Sequence, residues 1–415
     1  MKIAILTSGF LPVVDGVTVS ALQRLQRLSQ WGHQVRVFCP DYRPLEAIYP
    51  NWKDYTGEIL PGVTVVNLPS GSFMGVEFER NVSRTAYSIL IQELQKFSPD
   101  LIHVDEPERM FVGFLHIPGV QFARKSGIPC IGFFRTNFME YVEDFFPLPP
   151  IVLTPLKAFL KQLIVKIYNA YDLTLVASPI THEKLVHMGI KNTHYALLLG
   201  CDTDQFHPDL RQAGFFKRNY NLPQVDRTVK LVFLGRLTPD KGWRFTMNAF
   251  AQVVQQVDRK AISLLIAGDG ELRDEIEQRL SQFVPQVHLL GRVPPDEVPA
   301  LLANSDVHVT TSEKETRGLT VLEAFASGIP VIAPRAGGVV ENIRDGWNGF
   351  LFTPKDQRDF VTKLQTLIQN PEQRQMMGKN GRECIADYSW DTAVKNLINI
   401  WEAQIAEKET LKSKI

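Results

Sequence analysis

Lys230-Leu231-Val232-Phe233-Leu234-Gly235-Arg236-Leu237-Thr238-Pro239-Asp240-Lys241-Gly242 is an apolar run that stops at a glycine and opens into a loop carrying two cations five residues apart. A run apolar on both faces makes a strand covered on both sides, the condition of a parallel sheet between helical layers. The same beat continues with Ser263 to Ala267, Val287 to Leu290, Val307 to Thr310 and Val331 to Ala333. Upstream it occurs as Lys2 to Leu6, a helical pattern with Leu22, Leu25 and Leu28, then Gln34 to Phe38, Leu101 to Val104 and Leu173 to Ala177. The expected fold class is α/β, with doubly wound sheets whose ligands sit at the carboxyl ends of the strands.

The turn-rich Asp202-Thr203-Asp204-Gln205-Phe206-His207-Pro208 separates the two series. A chain of 415 residues calls for two cores. The expected division is a Rossmann-like domain over 1–200 and a second over 201–389, with no detectable sequence repetition between them. From Trp390 to about Glu407 an amphipathic helix carries Ala393, Leu397, Ile400 and Trp401 on one face, and the tail 390–415 is expected to pack back across the first domain.

Lys and Arg number 45 and Asp and Glu also 45, so no net field favours nucleic acid, and attraction to an anionic membrane must come from local patches. Four scattered cysteines without a C-x-x-C spacing argue against a zinc site and a disulfide scaffold and for a reducing interior. The apolar run at the N-terminus stops at Thr7-Ser8-Gly9, too short for a signal peptide, and nothing reaches the ~18 apolar residues of a membrane span. The expected location is cytoplasmic, with peripheral contact at a membrane surface left open.

The most specific string is Glu315-Thr316-Arg317-Gly318-Leu319-Thr320-Val321-Leu322-Glu323-Ala324, followed by Gly328-Ile329-Pro330 and Gly337-Gly338. A helix starting near Gly318 offers unpaired N–H groups to a diphosphate, and Glu323, about one turn in, can accept hydrogen bonds from ribose hydroxyls. Taken alone, Glu323 is as readily a carboxylate on a solvated helix start. The whole string resembles the E-x7-E signature of the family-4 retaining glycosyltransferases (glycosyl transferases group 1), most strongly over Leu234 to Gly349. The resemblance implies the GT-B architecture, two Rossmann-like domains facing a cleft, with a nucleotide-sugar donor, expected to be a UDP-linked hexose, held by the C-terminal half. It implies that Glu315 faces the donor sugar and that Gly318, Leu319, Thr320 and Glu323 bind the donor. Arg236 and Lys241 would carry the charge of the departing diphosphate, which makes them, with Glu315, the catalytic candidates. Gly268, in Ile266-Ala267-Gly268-Asp269, and Arg292, in Leu290-Gly291-Arg292-Val293, match strand ends near the donor. Asp269-Gly270-Glu271 and Asp202-Thr203-Asp204 superficially resemble a D-x-D metal motif but sit where this family has turns. Neither metal nor cofactor is expected.

In the first domain, Asp15-Gly16 stands where the family often has Gly-Gly; the variant resembles lipid glycosyltransferases, placing Gly16 near the donor and Asp15 near the acceptor. A turn with a left-handed glycine is compatible with the same residues. Phe133-Phe134-Arg135-Thr136-Asn137-Phe138-Met139-Glu140-Tyr141 matches a His-Thr-x-x-x-x-Tyr stretch at Thr136 and Tyr141, with Arg135 replacing the His. Arg135 suits an anionic group of acceptor or donor, or else a structural ion pair with Glu106. Leu156, Phe159, Leu160, Leu163, Ile164 and Ile167 form an apolar stripe opposite Lys157, Lys161 and Lys166, a pattern of crossover helices more often than of membrane-surface helices. Phe145 to Leu153 just before it is unusually apolar, a candidate acceptor-binding or membrane-dipping segment. Two acceptors compete: a membrane glycolipid or diacylglycerol lipid, and a sugar phosphate as in the more distantly similar sucrose-phosphate synthases. A nucleotide-sugar 2-epimerase of the same architecture and a non-catalytic nucleotide-sugar-binding protein are the other classes.

Overall fold

The computed structural model describes residues 1–73, 76–136, 139, 148–315 and 317–413, with 76–79 by backbone alone. The chain forms two compact units, Met1–Leu199 with Trp390–Ile415, and Gly200–Ser389.

The first unit is built on an eight-stranded sheet. Its centre is β1 (Lys2–Thr7), with β2 (Gln34–Pro40), β4 (Val63–Leu68) and β3 (Gly57–Leu60) on one side. On the other side lie β7 (Leu101–Asp105), β8 (Cys130–Phe134), β9 (Leu173–Val176) and β10 (Thr193–Tyr195). All neighbours are parallel except β3 and β4, and β5 (Ser70–Phe73) and β6 (Val76–Val82) form a separate antiparallel hairpin. The elements β3, β5 and β6 depart from the all-parallel expectation: their residues alternate in polarity or carry glycine and serine, so no buried run marks them. The chain winds outward from β1 to β2, then returns to place β7 on the opposite flank. The sheet's switch point therefore lies between β1 and β7, at Thr7-Ser8 and Asp105-Glu106.

The second unit has a six-stranded, wholly parallel sheet in the order β13 (Val287–Gly291), β12 (Ile262–Ala267), β11 (Val229–Leu234), β14 (Val307–Val309), β15 (Val331–Pro334), β16 (Gly349–Phe352). Helices cover both faces, giving one apolar cluster around Phe250, Met247 and Phe360 and another around Phe325, Leu301 and Phe216. Its switch point lies between β11 and β14, so the loops after Leu234 and Val309 open side by side.

The tail is one helix, Trp390–Lys412, a turn longer than its apolar pattern suggests, and it belongs to the first unit. Trp401 is fully buried, and its indole N–H donates to Nδ1 of His103 on β7 at 3.3 Å. Behind it, Arg24, His103, Asp105 and Arg135 form a buried ionic group. Burial works against the Asp105 carboxylate, but Arg24, His103 and Arg135 outweigh it and hold its pKa well below the usual carboxylate range. Burial, with Arg24 beside it, drives the His103 pKa down to about 4 and keeps the ring neutral. Trp401→Ala removes a large core side chain and one partner of this group, and is expected to cost about 3–5 kcal/mol, read as a lowered denaturation midpoint with unchanged far-UV dichroism. A midpoint within error of the parent contradicts this role for the tail.

Candidate active site

The carboxyl ends of β11 and β14 bring the sequence candidates of the second unit together. After β11 the chain passes Gly235 and Arg236, makes a short 3-10 turn at Pro239–Lys241, and enters helix α8 (Trp243–Gln256) (helices are numbered α1 Gly16–Gln30, α2 Ala86–Phe97, α3 Pro107–Phe114, α4 Val120–Ser126, α5 Pro150–Tyr168, α6 Pro179–Met188, α7 Phe215–Tyr220). Thr311 after β14 holds this loop: its hydroxyl donates to the Lys241 carbonyl at 3.1 Å. Gly242 has φ +77° and a Cβ there would lie 2.2 Å from the Thr311 carbonyl oxygen, so only glycine permits this approach. Gly268 is required for a similar reason, since a Cβ would come within 1.8 Å of the Gly235 carbonyl.

Lys241 and Glu315 meet across this junction, Nζ to Oε1 at 2.5 Å. Burial alone would raise the Glu315 pKa, but the Lys241 charge and hydrogen bond, assisted by Ser312, outweigh it and hold the carboxyl below its ordinary value. Arg236 is 41% exposed and lies 3.4 Å from Asp240. Two of the three catalytic candidates are thus in contact, and the third stands on the same loop.

The remaining helices of this unit are α9 (Arg273–Ser281), α10 (Val298–Ala303), α11 (Leu319–Ala326), α12 (Gln357–Gln369) and α13 (Pro371–Cys384). Helix α11 starts directly after Gly318, which has φ +71° and supplies no side-chain cap. Ahead of Val321, whose amide donates to the Gly318 carbonyl at 3.1 Å, the first N–H groups have no intrahelical acceptors, the arrangement that receives anions. The loop before it is pinned by Asn342 donating to the Arg317 carbonyl at 2.7 Å and by Gly338 N–H donating to the Glu315 carbonyl at 2.7 Å. Arg317 itself is buried and ion-paired with Glu341. One turn into α11, partly buried Glu323 has no compensating charge among the described residues, and desolvation pushes its pKa up to about 7. Arg292 lies after β13, 3.7 Å from Asp269. Asp202 caps its own turn, accepting from the Asp204 and Gln205 amides, and Asp269 accepts from the Gly270 amide.

Candidates in the first unit have other neighbours. Asp15 is the N-cap of α1, its Oδ1 accepting from the Val17 and Thr18 amides at 2.9 and 2.8 Å while the Thr18 hydroxyl accepts from the Asp15 amide. Gly16 is the first helical residue and not a left-handed turn glycine, because the capping box already starts the helix. Arg135 does form an ion pair, but with Asp105 at 3.5 Å and not Glu106, and it also donates to Ser20. Its side chain is only 6% exposed, which corrects the anion-fork expectation: the guanidinium is turned into the unit's interior. Glu106 instead accepts from Ser8 and from Thr136, at the switch point of the first sheet. Tyr141 and most of the apolar stretch before Leu148 lie outside the described residues.

The sequence missed His308, and it offered Glu106 only as an ion-pair partner of Arg135. His308 is the polar residue inside the fully buried strand Val307–Val309, and that placement was the available signal. Glu106 is disguised by its neighbours in Asp105-Glu106-Pro107-Glu108, and nothing local marks it as the residue that holds Thr136.

Two family profiles divide the chain: Glycosyltransferase Family 4 matches residues 14–204 and Glycosyl transferases group 1 matches residues 219–384, the part that carries this site. The chain is a group 1 glycosyltransferase. Its fold is GT-B. This glycosyltransferase is 32% identical to the sulfoquinovosyl transferase SQD2 of Arabidopsis thaliana over 75% of its own length, spanning 58% of that protein. It is 28% identical to a GDP-mannose-dependent alpha-mannosyltransferase of Mycobacterium tuberculosis, covering 99% of the chain and 98% of the relative. The sucrose-phosphate synthase of Thermosynechococcus elongatus superposes with a TM-score of 0.76 at 19% identity, over 98% of this chain and 99% of the other, a likeness of fold. Membership of the family disfavours the epimerase alternative.

Glu323 gives this glycosyltransferase a pH signature. With its folded pKa raised to about 7, the ligand-free protein favours the protonated carboxyl, so stability from this group is present below the ordinary carboxylate range and lost as pH rises through 7. Glu323→Gln is therefore expected to be more stable than the parent at pH 8, by up to about 3 kcal/mol, and equal to it near pH 4. Equal stability at pH 8 contradicts a desolvated, uncompensated carboxylate.

Proposed function

We propose that the protein transfers a hexosyl group, with retention, from a UDP-linked sugar to a hydroxyl of a membrane lipid. Support for the donor side comes from the switch point of the second sheet, where a cation pair of residues, a helix start and an uncompensated carboxylate converge. The diphosphate would sit on the amides of Gly318, Leu319 and Thr320, and Glu323 would take ribose hydroxyls. Lys241 and Arg236 would stabilise the charge that grows as the sugar C1–oxygen bond breaks. The acceptor hydroxyl would attack C1 from the same face, its proton passing to the departing phosphate oxygen as the new glycosidic bond forms. Glu315 would keep Lys241 in place and face the sugar. No metal enters this scheme, since Lys241, Arg236 and the helix start already supply positive charge.

The observation that carries the lipid acceptor is α5. Only Ile164, Ile167 and Tyr168 of its 19 residues are buried. Toward its start, Ile151 is 84% exposed, Val152 48% and Phe159 64%, with Leu148 just before it 41% exposed and Lys157 and Lys161 on the same helix. The apolar stripe itself is buried at Ile164 and Ile167 and half-buried at Leu156, Leu160 and Leu163, as in a crossover helix, but Phe159, together with Ile151, Val152 and Leu148 toward the helix start, stays exposed, a surface that a bilayer interface with anionic headgroups would cover. Among the described residues no helix is long and apolar enough to cross a membrane, so contact would be peripheral. The first unit would receive the acceptor, with Asp15 and Thr136 near it. The enzyme would work on the cytoplasmic side.

A donor-by-acceptor screen tests this: UDP- and GDP-linked hexoses against diacylglycerol in vesicles and against soluble sugar phosphates. UDP release that depends on vesicle lipid, unaffected by EDTA, is expected; turnover with sugar phosphates alone, or only with GDP-linked donors, overturns the proposal. Lys241→Ala is expected to lower turnover by about 10²–10³ with the fold retained, as read by far-UV dichroism. The pair Ile151→Glu and Phe159→Glu is expected to abolish sedimentation with vesicles containing phosphatidylglycerol, at positions where burial gives no reason for loss of stability.

A further inference from the structure

Helix α11 has an unusual requirement if its start is to receive a diphosphate. Its N-cap is Gly318, without a side chain to bond the first amides, so those amides stay available for a ligand, but nothing in the cap fixes their direction. The described contact that reaches into the first turn from the sheet is His308. Its ring is wholly buried on β14, with Nδ1 3.2 Å from the Val232 carbonyl on β11 and Nε2 3.2 Å from the Thr320 hydroxyl. Val232 offers only an acceptor, so Nδ1 carries the proton and Nε2 accepts from Thr320. Burial lowers the pKa to about 4, so the ring is neutral at working pH. The Thr320 hydroxyl proton is thus committed inward, and what the first turn presents outward is backbone N–H.

Around this imidazole the layer between sheet and helix is apolar, with Val321, Leu322, Phe325, Val331 and Leu265 among its members. One polar bridge in such a layer fixes rotation and register that apolar contacts leave soft. His308 joins the three segments that make the site: β11, which leads to Arg236 and Lys241; β14, which leads to Glu315; and the start of α11.

We propose that His308 is a positioning residue for the diphosphate of the donor: through Thr320 it aims the first amides of α11, without touching the ligand. This rests on the donor reading given above. The test is a double-mutant cycle of His308→Phe and Thr320→Val, with affinities for UDP and for uridine measured by calorimetry and competition. GDP and guanosine serve if the parent binds those instead. His308→Phe is expected to weaken the nucleoside diphosphate about tenfold and the nucleoside less than twofold, and Thr320→Val in the same background to add nothing further. An unchanged diphosphate affinity, an equal loss for nucleoside and diphosphate, or losses that multiply in the double variant overturns the proposal. If His308→Phe does not fold, His308→Asn, which keeps an amide toward Val232 but is too short for Thr320, takes its place with the same outcomes. A parent protein that binds neither nucleotide refutes the donor reading itself.

Discussion

The ion pair between Lys241 and Glu315 spans the switch point of the second sheet, and the local architecture is arranged to allow it. A lysine after β11 and a glutamate after β14 can meet only if the two loops run nearly in contact, which Gly242 permits by lying against the Thr311 carbonyl. The pair also decides the charge state of the site. Without Lys241, burial would push Glu315 toward protonation; with it, the carboxylate persists and the ammonium is held against it. A ligand diphosphate arriving there would compete with Glu315 for the cation, so the pair stores a positioned charge in the ligand-free state.

The first unit solves a different problem. Its sheet carries ionisable groups inward, two arginines sharing Asp105 with neutral His103, and the tail helix closes over them through Trp401. Such a group is costly when any partner is lost, since an uncompensated charge is then left buried. Arg135 is engaged in this group, with Asp105 and Ser20 as its partners. At the neighbouring switch point Glu106 binds Ser8 and Thr136, so the polar groups that do reach the strand ends are hydroxyls on a carboxylate.

Much of this was legible in the sequence wherever burial imposes a pattern. Strands such as Leu231 to Leu234 and Leu264 to Ala267 are apolar on both faces because helices cover both, and the glycines after them mark the strand ends. The E-x7-E string placed α11 to within a residue. What could not be read is what depends on distant partners. His308 looks like any strand residue until Thr320 is seen above it, Arg135 takes Asp105 instead of Glu106 because of side-chain direction and not spacing, and the stripe of α5 gives the same periodicity whether covered or bare. The hairpin Ser70–Phe73 with Val76–Val82 and the antiparallel edge Gly57–Leu60 lack a continuous apolar run, so period alone does not find them.

If the backbone at the switch point of the second sheet receives the donor's diphosphate, amide hydrogen exchange with and without saturating UDP reads it residue by residue. Slowed exchange is expected for the amides of Gly318 to Thr320 and for the loop from Gly235 to Lys241, with the first turn of α1 unchanged by the nucleotide. Protection confined to other segments, with the start of α11 exchanging at the same rate in both states, would contradict it.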